Sequence, residues 1–156
     1  MPDIAAGHRL TTLDFLPRAD DEQVDAYTAT NTTFGVGTTG GTYNDCGVEF
    51  VAPYTERVTI LFGAEGWNET ASASVVVAPV VRTGGTVGSG STIVAADAKN
   101  AYRNVGNVNN TGFRWGVPVP VDGLVAGDTY NVRLEHRVSG GIGHFSNRVV
   151  IVRPDN

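Results

Sequence analysis

Between Asp128 and Ser139 the chain keeps a period of two: Tyr130, Val132, Leu134, His136 and Val138 share one parity, and Thr129, Asn131, Arg133, Glu135 and Arg137 share the other. Successive side chains of a strand point to opposite faces, so this segment is predicted as a strand with one buried and one wet face. A helix would scatter the same residues around its circumference. The run Gly140-Gly141-Ile142-Gly143 predicts a tight turn, after which Phe145 to Arg153 is expected to return as the last strand of a hairpin. A sheet with a buried face needs a second layer to cover it.

The rest of the body has the same texture. Strands are predicted over Tyr27 to Phe34, Gly47 to Ala52, Arg57 to Ala64, Ala71 to Arg82, Thr92 to Ala96, Ala101 to Val105 and Phe113 to Val121, separated by Gly, Asn and Pro clusters. Val58, Ile60 and Phe62 share a face, and Pro79 suggests an edge or bulge. Gly84 to Ser91 reads as a flexible loop, and no 3.6-period segment interrupts the series. Charged residues make up only 17% of the 156 residues, and there is one Met. Gly, Thr, Asn and Val take their place, which disfavours a helical bundle. Many short, regularly spaced strands read as a sandwich or barrel. The expected fold is all-β, an antiparallel jelly-roll sandwich in one domain over residues 27–156.

Residues 1–26 stand apart as an N-terminal extended arm. Asp3, Asp14, Asp20, Asp21, Glu22 and Asp25 make it acidic, and Ile4, Leu10, Leu13, Phe15 and Leu16 are its docking candidates. It has too few apolar residues for a core of its own, so it must pack on the body, on a neighbouring subunit or on a larger particle.

The net charge of −5 argues against the basic stripe that a nucleic-acid backbone requires, and no nucleic-acid partner is expected. No apolar run approaches the length of a spanning helix, so no membrane insertion is expected. The start, Met1-Pro2-Asp3-Ile4, lacks the regions of a signal peptide, which predicts synthesis in a cytoplasm. The single cysteine, Cys46, reads as a buried residue without a disulfide.

Catalytic signals are thin. Gly35-x-Gly37-x-x-Gly40 matches a dinucleotide fingerprint, but Thr42-Tyr43-Asn44-Asp45 follows where a helix would have to begin, so it reads as a loop. Nothing in the spacing selects a nucleophile and base from Cys46, His8, His136 and His144. Asp20-Asp21-Glu22 and Asn44-Asp45 have no calcium-loop spacing. No catalytic residue, cofactor or metal is assigned. Tyr130, Val132, Leu134 and His136 are expected in the core or at a subunit interface. Trp67, after Gly66 and before Asn68, reads as a loop-tip aromatic able to bind a surface ligand such as a glycan.

Two segments carry a resemblance. Ile4 to Pro17 is similar to the openings of small virion proteins from tailed phages of actinobacteria. Val48-Glu49-Phe50-Val51-Ala52-Pro53 with Arg57-Val58-Thr59-Ile60, and Gly123-Leu124-Val125-Ala126-Gly127-Asp128-Thr129-Tyr130-Asn131-Val132, resemble the first hairpin and a strand start of C1q/TNF-like trimeric jelly rolls. The glycine usual in that hairpin is replaced around Thr55-Glu56. The resemblance implies a homotrimer whose arm docks on other virion proteins: a minor tail or tail-fibre protein, with a capsid decoration protein or a free carbohydrate-binding module as alternatives.

Overall fold

In the computed structural model, residues 18–105 and 112–155 are described. The apolar alternation resolves into twelve strands: β1 Ala19–Gln23, β2 Tyr27–Ala29, β3 Gly40–Gly41, β4 Gly47–Val51, β5 Val58–Asn68, β6 Ser74–Thr83, β7 Thr92–Val94, β8 Tyr102–Val105, β9 Arg114–Trp115, β10 Val119–Val121, β11 Thr129–Val138 and β12 Gly143–Pro154. Among the described residues these form two antiparallel sheets, the jelly-roll-like sandwich expected. The first runs β10-β5-β12-β2-β3, with β1 pairing β12 and β9 pairing β5; the second runs β4-β11-β6-β7, with β8 pairing β6. The inward parities meet between them: Val58, Ile60, Phe62, Ala64, Val150 and Val152 from the first, Val75, Val77, Val81, Val132 and Leu134 from the second.

The expected C-terminal hairpin does not form. One edge of β11 carries β6 over Tyr130–Val138; the other carries β4 over Thr129–Arg133 and then backbone bonds to Cys46, Gly35 and Asn31, so no edge is left for β12. β12 instead pairs β5 in the opposite sheet. The glycine run crosses between sheets: Asn68 donates to the Gly140 carbonyl at 2.8 Å, and the Glu69 amide to Ile142 at 3.0 Å. The first expected hairpin is likewise a crossing, since β4 and β5 lie in different sheets. At its turn Glu56 takes φ +58°, a left-handed conformation that glycine adopts at least cost.

Three further expectations change. The outward face of β11 is covered: Asn131 is fully buried, donating to the carbonyls of Gly84 at 2.8 Å and Ser89 at 3.1 Å and accepting from the Gly88 amide at 3.0 Å. The 84–91 loop is thus a packed cover. Tyr27 to Phe34 is strand only over its first three residues. Ala19–Gln23, placed in the arm by composition, is a strand of the body, paired from Ala19↔Val152 to Gln23↔Arg148. Ile4, Leu10, Leu13, Phe15 and Leu16 lie outside the described residues.

Candidate functional site

A cluster of polar and aromatic side chains gathers around Arg148 in the interior, and a bulge puts the arginine there. In β12, Ser146 faces Glu65 and Val149 faces Gly63, so Asn147 and Arg148 together oppose Ala64. Such an extra residue reverses the parity of the strand beyond it. Asn147 takes φ +45° and donates to Glu65 at 2.5 Å. Gly143 and Phe145 point inward before the bulge; Arg148, Val150 and Val152 point inward after it.

Arg148 is 1% exposed. Its Nη2 donates to both oxygens of Asp25 at 2.7 and 2.8 Å and to the Asn44 carbonyl at 2.9 Å. The guanidinium lies against two rings, its Cζ 4.7 Å from the centroid of Tyr27 and 4.8 Å from that of Tyr43, while its Nε and Nη1 have no hydrogen-bond acceptor among the described residues. Tyr27 stacks on Phe145 at 5.2 Å. Its hydroxyl meets His136 Nδ1 at 3.0 Å, and His136 Nε2 meets the Gly37 carbonyl at 2.9 Å. A carbonyl only accepts, so Nε2 carries the proton and Nδ1 accepts from Tyr27.

Four titratable side chains here are held in unreactive states. Burial lowers the His136 pKa to about 4, with the Gly37 hydrogen bond opposing. Burial pushes Tyr27 and Tyr43 above the ordinary phenol range and lifts the Cys46 thiol to about 12. A thiol kept protonated is a poor nucleophile, and a base with both nitrogens engaged has no free lone pair. This cluster ties the two sheets together. The glycine fingerprint is part of it: Gly35 bridges the backbone of His136, and Gly40–Gly41 opens a short strand where a helix would be required. Among the described residues, no group of three or more His, Cys, Asp or Glu is placed to hold a metal ion.

The other candidates fall in three settings. Tyr130, Val132, Leu134 and His136 are buried inside a single chain, which leaves them no surface to offer a neighbour. Trp67 is not at a loop tip. It lies in β5 directly opposite His144 of β12, and the two rings stack at 3.9 Å and 8°. His144 also contacts Glu69 at 2.9 Å. Trp67 borders a cavity of about 320 Å³ that Glu65, Ser146 and Thr28 help to line. The acidic groups considered for calcium have other work: Asp21 accepts from the Gly47 amide at 2.9 Å, and Asp45 from the Tyr43 hydroxyl at 3.0 Å.

A feature the sequence reading missed lies on the outer face of the first sheet. β5 and β12 are apolar on both parities, so Leu61 and Ile151, directly opposite each other, point away from the core. With Trp115, Gly116, Pro118, Arg18 and Arg153 they line a groove of about 580 Å³. Trp115 is 57% and Phe113 39% exposed. Two glycines let this edge lie flat: a Cβ on Gly63 would meet the Phe113 ring at 2.3 Å, and one on Gly116 the Phe62 ring at 2.3 Å. The signal available in the sequence was the run Val149-Val150-Ile151-Val152, which no one-sided strand requires.

No protein-family model matches the sequence, and no curated protein matches it. Among solved structures, the chain is similar to the D431N mutant of the VP2 protein of infectious bursal disease virus, from derived T=1 particles. The likeness has a TM-score of 0.50 at 8% identity, covering 99% of this chain and 35% of the VP2 chain. The likeness is one of fold, and this chain corresponds to about a third of that protein's length.

Proposed function

We propose that this protein is a non-enzymatic structural component of a virion, a minor tail or tail-fibre-type protein that assembles as a homotrimer and attaches to the particle through its N-terminal segment. The observation that carries the reading is that nearly the whole chain follows the fold of a protein that builds viral particles. The resemblance of Ile4–Pro17 to virion-protein openings supports it. So does the locked interior, which spends the chain's reactive groups on holding two sheets together. Ile4, Leu10, Leu13, Phe15 and Leu16 supply the apolar contacts of attachment.

Quantitative mass spectrometry of purified particles tests this directly. A handful of copies per particle is expected for the tail; hundreds would mean a capsid decoration protein, and absence from particles would sink both. Light scattering at micromolar concentration tests the trimer, and a monomeric mass counts against it. A second reading, glycan binding at the particle surface, has one observation in its favour: the Trp67–His144 stack beside the Glu65 carboxylate. Glycan-array signal abolished by Trp67→Ala would support it, and a blank array would leave only the structural role.

A further inference from the structure

We infer that the cavity beside Trp67 takes an amino sugar, its ammonium held by the Glu65 carboxylate and its ring set against Trp67. The inference rests on the glycan reading above and adds the charge of the ligand. Strand parity assembles the site. Glu65 and Trp67 of β5 point away from the core, as do His144 and Ser146 of β12, and Thr28 of β2 lies opposite His144. Among the described residues, Glu65 is the only Asp, Glu, Lys or Arg that lines this cavity of about 320 Å³. Its hydrogen bonds come from neutral donors, the Ser146 hydroxyl at 3.3 Å and the Asn147 amide at 2.5 Å, and both reach Oε2. No cation among the described residues lies within ion-pair distance of Glu65, and Oε1 is left open. The basic residues of the neighbouring strands turn away: Arg114 stands opposite Ala64, on the other parity, and Arg148 points inward to Asp25. Glu69, the second acid at this corner, is engaged by His144 at 2.9 Å.

An uncompensated carboxylate in a recess walled by an aromatic ring repels anions and attracts cations, more strongly than it would in open water. An ammonium on Oε1 makes a charge-assisted hydrogen bond, roughly twice as strong as one between neutral groups. The spacing suits a single sugar residue. Positions two apart on a strand are separated by about 7 Å, a step that one sugar ring spans with its amine at Glu65 and its C–H face at Trp67. One face of the Trp67 ring is covered by His144, and the other meets no ring among the described residues. The same carboxylate sets the selectivity. Sugars carrying carboxylates or phosphates are turned away, and N-acetylation removes the charge on which the preference depends.

The test uses the full-length chain with Trp115→Phe, which leaves Trp67 as the sole tryptophan. Its fluorescence is titrated with the unacetylated glucosamine trimer, below the pKa of the amine, and with the N-acetylated trimer. The unacetylated form is expected to bind severalfold more tightly, with the difference lost in Glu65→Gln and weakened by salt. Equal affinities would overturn the inference and leave the glycan reading standing; binding of neither trimer would overturn both. A second measurement needs no sugar. Quenching of Trp67 by caesium relative to iodide, referred to free tryptophan amide, is expected to favour the cation and to even out in Glu65→Gln at an unchanged far-ultraviolet spectrum. A ratio that Glu65→Gln leaves unchanged would remove the carboxylate from the site and overturn the inference.

Discussion

The interior around Arg148 and the outer face of the first sheet invert the usual rule in opposite directions. Around Arg148 the interior is charged and aromatic; around Leu61 and Ile151 the exterior is apolar. The two share strand β12, which sends Phe145 and Arg148 inward and Ile151 outward. Inside, Arg148 and His136 meet partners fixed by other elements: Asp25 from the segment before β2, Gly37 from the glycine loop, Tyr27 from β2. Buried charge is tolerated only when paired, so removing one partner of the Arg148–Asp25 pair is costly. Outside, Trp115 meets the Phe113 ring edge-on at 5.2 Å and is 57% exposed, so most of its side chain is open to contacts beyond the core. Within an otherwise apolar core the Arg148 cluster is a polar structural element, and outside the core the Leu61–Ile151 face is an apolar surface.

The contrast can be broken at several points. Replacing Arg148 by Met leaves Asp25 buried without its cation, and the loss expected is about 3–5 kcal/mol in urea unfolding. A loss below that of an exposed ion pair would mean that the interior cluster is not what joins the sheets. The second test is pH. The folded His136 has a pKa of about 4, against 6.5 for the free side chain. Between these values the unfolded chain binds the proton and the folded chain does not, so stability is complete above about pH 6.5 and falls as pH drops towards 4. The expected contribution is about 3 kcal/mol. Comparing unfolding midpoints at pH 7 and 4.5 for the parent and His136→Gln isolates it, because the variant should lose that part of the slope.

On the outer face, Trp67→Ala removes a cross-strand stack and is expected to cost about 1 kcal/mol or less, read by thermal unfolding. A cost as large as that of Arg148→Met would erase the distinction between the regions. The smallest effect is expected at the sheet-crossing turn. Glu56→Gly relieves a left-handed φ worth about 1–2 kcal/mol, offset by about 0.5–1 kcal/mol of added backbone entropy in the unfolded chain. A gain of a few tenths of a kcal/mol should appear in the denaturant midpoint.

Much of the architecture was legible because strand parity is a local property. β4, β5, β6 and β11 appear close to their expected positions, and Tyr130, Val132, Leu134 and His136 fall on the inward face as their spacing required. Connections were less legible. A glycine run after a strand looks the same whether it folds back within one sheet or crosses to another, because the choice depends on which edges of β11 other strands occupy. Burial of the opposite parity was hidden for a similar reason. Asn131 and Glu135 look solvent-facing by alternation, but the 84–91 loop covers Asn131, and Arg82 and Arg133 close on Glu135 at 2.7 and 3.0 Å. The candidate site was the least legible. Arg148 reads as an outward-facing charge until the bulge at Asn147 turns it inward, and its partners are separated from it by more than a hundred residues.

By itself the sequence determined that the chain is all-β, where most of its longer strands lie and which parity of most of them is apolar. These follow from backbone geometry and side-chain type within a few residues. The tertiary structure alone decided which strands pair, that Ala19–Gln23 belongs to the body, and that Leu61 and Ile151 stay outside while Arg148 goes in. A one-residue bulge reverses every parity beyond it, and its position is set by the partner strand.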